Sequence, residues 1–185
     1  TAHGTLAELR EVNDWLGSLP HPAKIVIGGN HDEALQYEPE RARALITNAV
    51  YLEDSETTVA GLRIYGSPWQ PEFNHWHFNL PRGAVLRAKW DMIPKGIDIL
   101  VTHGPPHGVL DQVSAPSGLH VGCEELKIAV ERVRPKIHLF GHVHEAYGIV
   151  RSPGLISANA CILDRQYQVA NRPIVLRLPA GPGRR

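Results

Sequence analysis

Apolar residues at Leu6, Leu9, Val12, Leu16 and Leu19 recur at helical spacing through GTLAELREVNDWLGSLP, which predicts an amphipathic helix. Thr5 can cap its start, and Pro20 and Pro22 end it. KIVIGG is short, β-branched and apolar on both faces, the pattern of a buried parallel strand. Gly28 and Gly29 stop that strand, and NHDE becomes the loop at its C-terminal end. PERARALITN predicts a short helix beginning near Pro39, since proline suits a first turn. VYLEDSETTVAGLRIYGSP predicts a strand and then a hairpin, with residues 57–60 and 62–65 flanking a turn at Gly61. WQPEFNHWHFNLPRG has no clean period and is rich in aromatic and histidine residues, so it reads as a long surface loop with its own packing. GAVLRAKWDMI and CEELKIAVERV read as helices. DILVTHG supplies a second buried strand over residues 99–102, and KIHLF a third, followed at once by GHVH. SAPSG marks a flexible stretch, the segment from AYGIVRSPGLISANACILD to RPIVLRLP suggests antiparallel strands, and AGPGRR a disordered end.

Strand and helix patterns alternate at first and strands dominate later, which makes the fold class an α/β layered sandwich and not a helical bundle. A chain of 185 residues fits one domain with a real core, here expected over residues 1–179 with a disordered tail at 180–185. Lys+Arg and Asp+Glu both total 19, so the sequence offers no electrostatic case for long nucleic acid or an anionic membrane. No apolar run approaches the length of a membrane span. The two cysteines, Cys123 and Cys161, form no CxxC pair and read as small buried hydrophobes in a reducing, cytoplasmic compartment. Nothing in the sequence fixes an oligomeric state. Histidine, at 11 residues, is the unusual count, and imidazole is the commonest metal-ligand side chain.

Those histidines gather where strands stop. KIVIGG leads into Asn30, His31 and Asp32; DILVTHG delivers His103; KIHLFG delivers His142 and His144. In α/β sheets the loops at the carboxyl ends of the strands converge on the ligand. Neutral imidazole and amide oxygen both suit first-row divalent cations, and a glycine beside each segment permits close backbone approach. In an extended H-x-H segment both rings point the same way, within reach of two adjacent cations. A pair of cations roughly 3.5–4 Å apart clamps a phosphoryl group from both sides. Each element is weak evidence by itself: a lone histidine at a strand end is usually structural, and Gly-Asn is ordinary turn chemistry. Their conjunction carries the reading.

GNHD, THGPP and GHVHEAYG resemble the motifs of the calcineurin-like metallophosphoesterase family, and NDWLGSLPHPAKIVIGGNHD, LRIYGSPWQPEF and GHVHEAYG are similar to its metallophosphoesterase-domain-containing (MPPED) subgroup. The resemblance implies a four-layer α/β/β/α sandwich with two divalent metal ions (Mn, Fe, Zn or similar) at one edge. It implies that Asn30, His103 and His142 ligate the second metal and His144 the first. It places His31 against the substrate as transition-state stabiliser or leaving-group acid, oriented by Asp32. The family's Asp-x-His and Gly-Asp motifs have no counterpart here. The expectation is therefore a chain that starts just after the Gly-Asp motif, lacks the first strands, and leaves KIVIGG with an unpaired edge.

The function so implied is hydrolysis of small phosphodiesters, cyclic nucleotides being the substrates the subgroup resemblance suggests, by attack of a metal-bound hydroxide, expected of the full protein more than of this chain alone. The alternative is a binding protein whose incomplete metal site holds a nucleotide or phosphate without turnover. A structural metal module ranks lower, because such sites are usually cysteine-rich. Trp76, in EFNHWHF, is either a lid that stacks a nucleobase or part of a loop packing on itself. His107 either touches a substrate phosphate or is solvated, and Glu145 either supports a ligand or is an exposed carboxylate.

Overall fold

The computed structural model describes residues 1–114 and 118–177. The expected flexible stretch falls partly, at 115–117, outside the described residues, and the expected disordered tail at 180–185 lies outside them entirely.

Helix α1 (Leu6–Ser18) forms where the spacing predicts, and a capping box starts it: the Thr5 side chain accepts from Glu8 N while the Glu8 carboxylate accepts from Thr5 N at 3.1 Å. It buries Leu9, Leu16 and Asn13. Asn13 Oδ1 accepts from Thr47 N at 2.9 Å and Asn48 N at 2.8 Å, which ties α1 to the segment after α3 (Pro39–Leu45). Pro39 opens α3 as expected. An unanticipated short helix, α2 (Glu33–Tyr37), follows the NHD turn directly.

The main sheet has six strands in the order β3-β4-β7-β8-β10-β9. Strands β4 (Leu62–Ser67), β7 (Ile99–Thr102), β8 (Ile137–Phe140) and β10 (Leu155–Asn159) run parallel, and β3 (Ser55–Val59) and β9 (Gly148–Ser152) close its edges antiparallel. The β3–β4 hairpin turns at Ala60 (φ 49°) and Gly61 (φ 78°), the paired left-handed conformations of a tight hairpin whose twist suits its strands. A second, smaller sheet pairs β1 (Ile25–Val26) with β2 (Val50–Tyr51) in parallel. A third pairs β5 (Gln70–Pro71) with β6 (Asn79–Leu80).

Alternation along β4 shows how the layers stack. Tyr65 joins Leu100 in a core with Leu86 and Trp90 of α4 (Ala84–Asp91) and Leu126 and Val130 of α5 (Glu124–Val133). The next residue, Gly66, faces the other way: a Cβ there would come within 2.5 Å of Leu52 and 2.7 Å of Ile27, so the small sheet lies directly on the large one. Beyond it, Leu9, Ala34, Leu35, Ala42 and Phe78 form the core under α1, α2 and α3. The order of layers is helix, sheet, sheet, helix, as the fold class requires.

Three expectations are corrected. KIVIGG is a strand for only two residues, and Ile25 and Val26 are half-buried, because β2 is the single described strand beside them. RPIVLRLP forms no strand over 172–177; β9 is the last strand of the sheet, and Pro173 has no N–H to pair. The aromatic loop is bracketed by the β5–β6 pair and anchored by Phe78, which is buried at φ 53° and donates its N–H to Gln36 Oε1 at 2.6 Å. Cys123 is buried as expected and also caps α5, its sulfur accepting from Leu126 N at 3.3 Å; burial, the larger effect, pushes its thiol up to about 12.

Candidate metal and phosphoester site

The C-terminal ends of β1, β7 and β8 meet, and their loops bring three side chains to one point. His103 Nε2 lies 2.6 Å from Asn30 Oδ1 and 3.1 Å from His142 Nδ1. Asn30 is buried, at 3% exposure, and an amide there needs a partner. The backbone enforces this approach. A Cβ on Gly29 would sit 2.5 Å from His103 Nδ1, so only glycine lets the ring slide beneath the turn. The His103 carbonyl accepts from Gly141 N at 2.9 Å, which continues the β7–β8 pairing to the ligand loops. His142 has φ 68°, and Val143 N bonds back to Gly141 O at 2.8 Å around it. A γ-turn with positive φ at a non-glycine residue is strained, by roughly 1–3 kcal/mol, and such strain collects at functional sites.

Burial first, and then the neighbouring imidazoles, hold His103 well below the usual histidine range. Burial likewise brings His142 down to about 4. Both rings are therefore neutral at pH 7, the form a cation needs. Donors about 2.1 Å from a shared cation and at ordinary coordination angles stand roughly 3 Å apart, so one amide oxygen and two imidazole nitrogens at 2.6 and 3.1 Å fit such a role. Among the described residues no group of three or more His, Cys, Asp or Glu side chains is placed to hold a metal ion; the convergent set counts an amide and carries no negative charge.

The other expected residues divide. His144 does not continue an extended H-x-H segment: His142 turns left-handed and His144 opens a one-turn 3₁₀ helix (His144–Ala146). Its Nδ1 donates to Asp164 O at 2.6 Å, which leaves Nε2 as the free lone pair on the cavity it lines with His142. His31 lines the same cavity, with Nδ1 2.9 Å from Ala2 O and its ring edge-on to Trp76 at 4.1 Å. Asp32 does not orient His31. Its carboxylate accepts from Gly29 N at 2.8 Å and Thr1 Oγ1 at 2.5 Å, locking the turn, and the backbone takes the orienting role. His107 does not line the cavity: its ring packs against that of His120, centroids 5.6 Å apart, and its backbone N–H donates to Cys123 O at 3.0 Å.

The cavity has a volume of about 880 Å³. Trp76, Phe73 and Tyr167 give it aromatic faces: Phe73 packs on Trp76 and on His142 at 6.3 and 6.0 Å, and Tyr167 on His31 and His144 at 6.1 and 5.1 Å. Glu145 is neither free nor a direct support to a histidine; it pairs with Arg165 at 3.3 Å on the wall. Sequence reasoning missed Tyr167, Arg82, Arg165 and His120, which come from segments without periodicity. A smaller cavity of about 360 Å³ lies behind Asn30 and His103, walled by Ile27, Val101, Leu139 and Phe140. No helix among the described residues is long and apolar enough to cross a membrane.

The sequence model of the calcineurin-like phosphoesterases matches residues 3–146. Metallophosphoesterase domain-containing protein 1 of Homo sapiens is 46% identical over 204 residues, covering 97% of this chain and 62% of that protein. UPF0046 protein T07D4.2 of Caenorhabditis elegans is 36% identical over 212 residues, covering 98% and 53%. A protein of Synechococcus sp. named as a probable cyclic nucleotide phosphodiesterase is 27% identical over 164 residues, covering 85% and 59%. The chain thus spans less than two thirds of the length of these relatives. Among solved structures, TT1561 of Thermus thermophilus has the same fold, with a TM-score of 0.52 at 15% identity over 84% of this chain and 68% of that one.

Proposed function

This chain belongs to the calcineurin-like phosphoesterase family, and from that premise we propose that the whole protein is a divalent-metal-dependent hydrolase of small phosphodiesters of the nucleotide class. The observation that carries the reading is the meeting of Asn30 Oδ1, His103 Nε2 and His142 Nδ1 from three separate loops. These residues would hold one cation, and His144 Nε2 would serve a second. When bound, such cations neutralise the charge that builds on a phosphoryl group. His31 has its Nδ1 side tied to Ala2 O, which leaves Nε2 to meet a phosphoryl or leaving oxygen. Trp76 packs edge-on against that ring. The nucleotide class is supported by the size and aromatic faces of the cavity, and by the name of the Synechococcus relative.

The test is hydrolysis of an aryl phosphodiester by the full-length protein with added Mn²⁺. Turnover stimulated by the metal, and lost by two to three orders of magnitude on His103→Ala, is the expected result; no metal-stimulated turnover rejects the reading. One observation favours a second reading. The described donor set is neutral, so it holds a dication weakly, and a protein lacking the carboxylates would bind nucleotide without turning it over. Nucleotide binding at full affinity with no turnover in the full-length protein would select that alternative.

A further inference from the structure

One buried charge plays no part in the metal site. Asp111 is 1% exposed, yet its carboxylate is fully engaged. Oδ1 accepts from His120 Nδ1 at 2.6 Å, and Oδ2 from Gly108 N at 2.9 Å and Gly122 N at 3.1 Å. Burial by itself would push the carboxyl up, but these three bonds outweigh it and hold the group below its usual range. The arrangement is built with care. A Cβ on Gly122 would lie 2.7 Å from Asp111 Oδ2 and 2.6 Å from Pro106 O, so glycine alone lets that N–H reach the carboxylate. Backbone bonds Val121 N to Asp111 O at 3.1 Å and Val113 N to Leu119 O at 3.0 Å fix the register in which His120 faces Gln112. Arg82 clamps the same turn through Val121 O at 3.0 Å and Gly122 O at 2.9 Å.

The product of this construction is one oriented imidazole. With Nδ1–H donated to Asp111, the His120 ring is held in one orientation and Nε2 is the ring nitrogen left for a ligand. Nε2 has no hydrogen-bond partner among the described residues, the side chain is 46% exposed, and the residue lines the 880 Å³ cavity. A buried carboxylate whose only side-chain partner is a histidine presented to a ligand cavity is the usual means of fixing a ring against a substrate.

The geometry points to His120 as a substrate-contacting residue that hydrogen-bonds the organic moiety of the phosphate ester, with Asp111 as its positioning residue. This rests on the nucleotide-class reading above and adds to it a wall that recognises the alcohol or base, apart from the residues that meet phosphate. Arg82 and Glu124, on the same wall, pair with each other, whereas His120 Nε2 has no hydrogen-bond partner among the described residues.

The test is equilibrium binding to the full-length protein by calorimetry, with adenosine 5′-monophosphate and inorganic phosphate as separate probes. Loss of one hydrogen bond corresponds to about tenfold in affinity. His120→Ala, which removes a half-exposed ring, is expected to weaken nucleotide binding about tenfold and to change phosphate binding less than about twofold. Asp111→Asn is expected to shift selectivity in the same direction, because an amide whose oxygen stays on the Gly108 and Gly122 N–H groups turns its NH2 toward Nδ1 and reverses the ring's tautomer. Unchanged nucleotide affinity in His120→Ala, parallel losses for both probes, or no nucleotide binding by the wild type would each overturn the inference. Absence of turnover in the wild type would reject the hydrolase reading and leave this binding contrast to decide the role of His120.

Discussion

A methyl group at Gly29 would lie 2.5 Å from Nδ1 of His103, and the glycine has no unusual φ to complicate the substitution. Gly29→Ala should therefore leave the fold standing and displace one ring. The expected outcome is a fall of about 10–100-fold in Mn²⁺ affinity of the full-length protein by titration calorimetry, the range seen when a ligand is mispositioned. His138 offers a different test. It is completely buried, its Nε2 donates to Thr102 Oγ1 at 2.8 Å, and its Nδ1 has no partner among the described residues. Burial drives its pKa from 6.5 down to about 3. The folded state therefore keeps the ring neutral while the unfolded chain takes up a proton below about pH 6.5, so this stability is present at neutral pH and lost as the solution is acidified towards pH 3. Between pH 7 and pH 5 the loss from this group is up to about 2 kcal/mol. Chemical unfolding of wild type and His138→Gln at both values should show a steeper decline in the wild type. At this scale Asn30, His31, His103, His142 and His144 were legible, because each follows an apolar run and glycine lies close by. For Asp32 adjacency misleads: it suggests a partner in His31, but a carboxylate three residues beyond Gly29 reaches that N–H first.

Helix α5 ends with Arg134 in the left-handed conformation at φ 54°, its N–H bonded to Val130 O at 2.8 Å. A side chain with a Cβ is strained there by roughly 1 kcal/mol, and glycine is not. Arg134→Gly is expected to stabilise the protein by about 0.5–1 kcal/mol in thermal or denaturant melts. At the other end of the chain, Thr5→Ala removes half of the α1 capping box and should cost about 1 kcal/mol. Helices α1 and α3 and the β3–β4 hairpin could be read from the sequence because local signals dictate them: a cap, a proline and a positive-φ turn. The short strands could not. β1, β2, β5 and β6 have two residues each and are held by tertiary neighbours, so no periodicity has room to appear. The H-x-H segment failed for the same kind of reason: the expected extension gives way to a left-handed residue and a 3₁₀ turn fixed by Asp164 O.

Across the molecule, the layered fold gathers loops that the sequence separates by up to 112 positions, from Asn30 to His142, as read from their residue numbers. The main sheet aligns β7 and β8 in parallel, the small sheet packs on the main one at Gly66 of β4, and the C-terminal ends of β1, β7 and β8 arrive at one cavity. The α/β class and this convergence were visible in the alternation of patterns. The far wall was not, because Arg82, His120, Arg165 and Tyr167 reach it through loops whose course only packing determines. A cation shared by the three loops should also tie them together. Chelator treatment of the full-length protein is therefore expected to lower its melting temperature, and Mn²⁺ to restore it, with no such response in His142→Ala. The most direct measurement is the Mn²⁺ dependence of phosphodiester hydrolysis by the full-length protein and by Asn30→Ala, His103→Ala and His142→Ala. Saturable activation in the wild type, with all three variants needing much more metal for far less turnover, is the result predicted. Equal activation of the variants and the wild type would contradict a shared site.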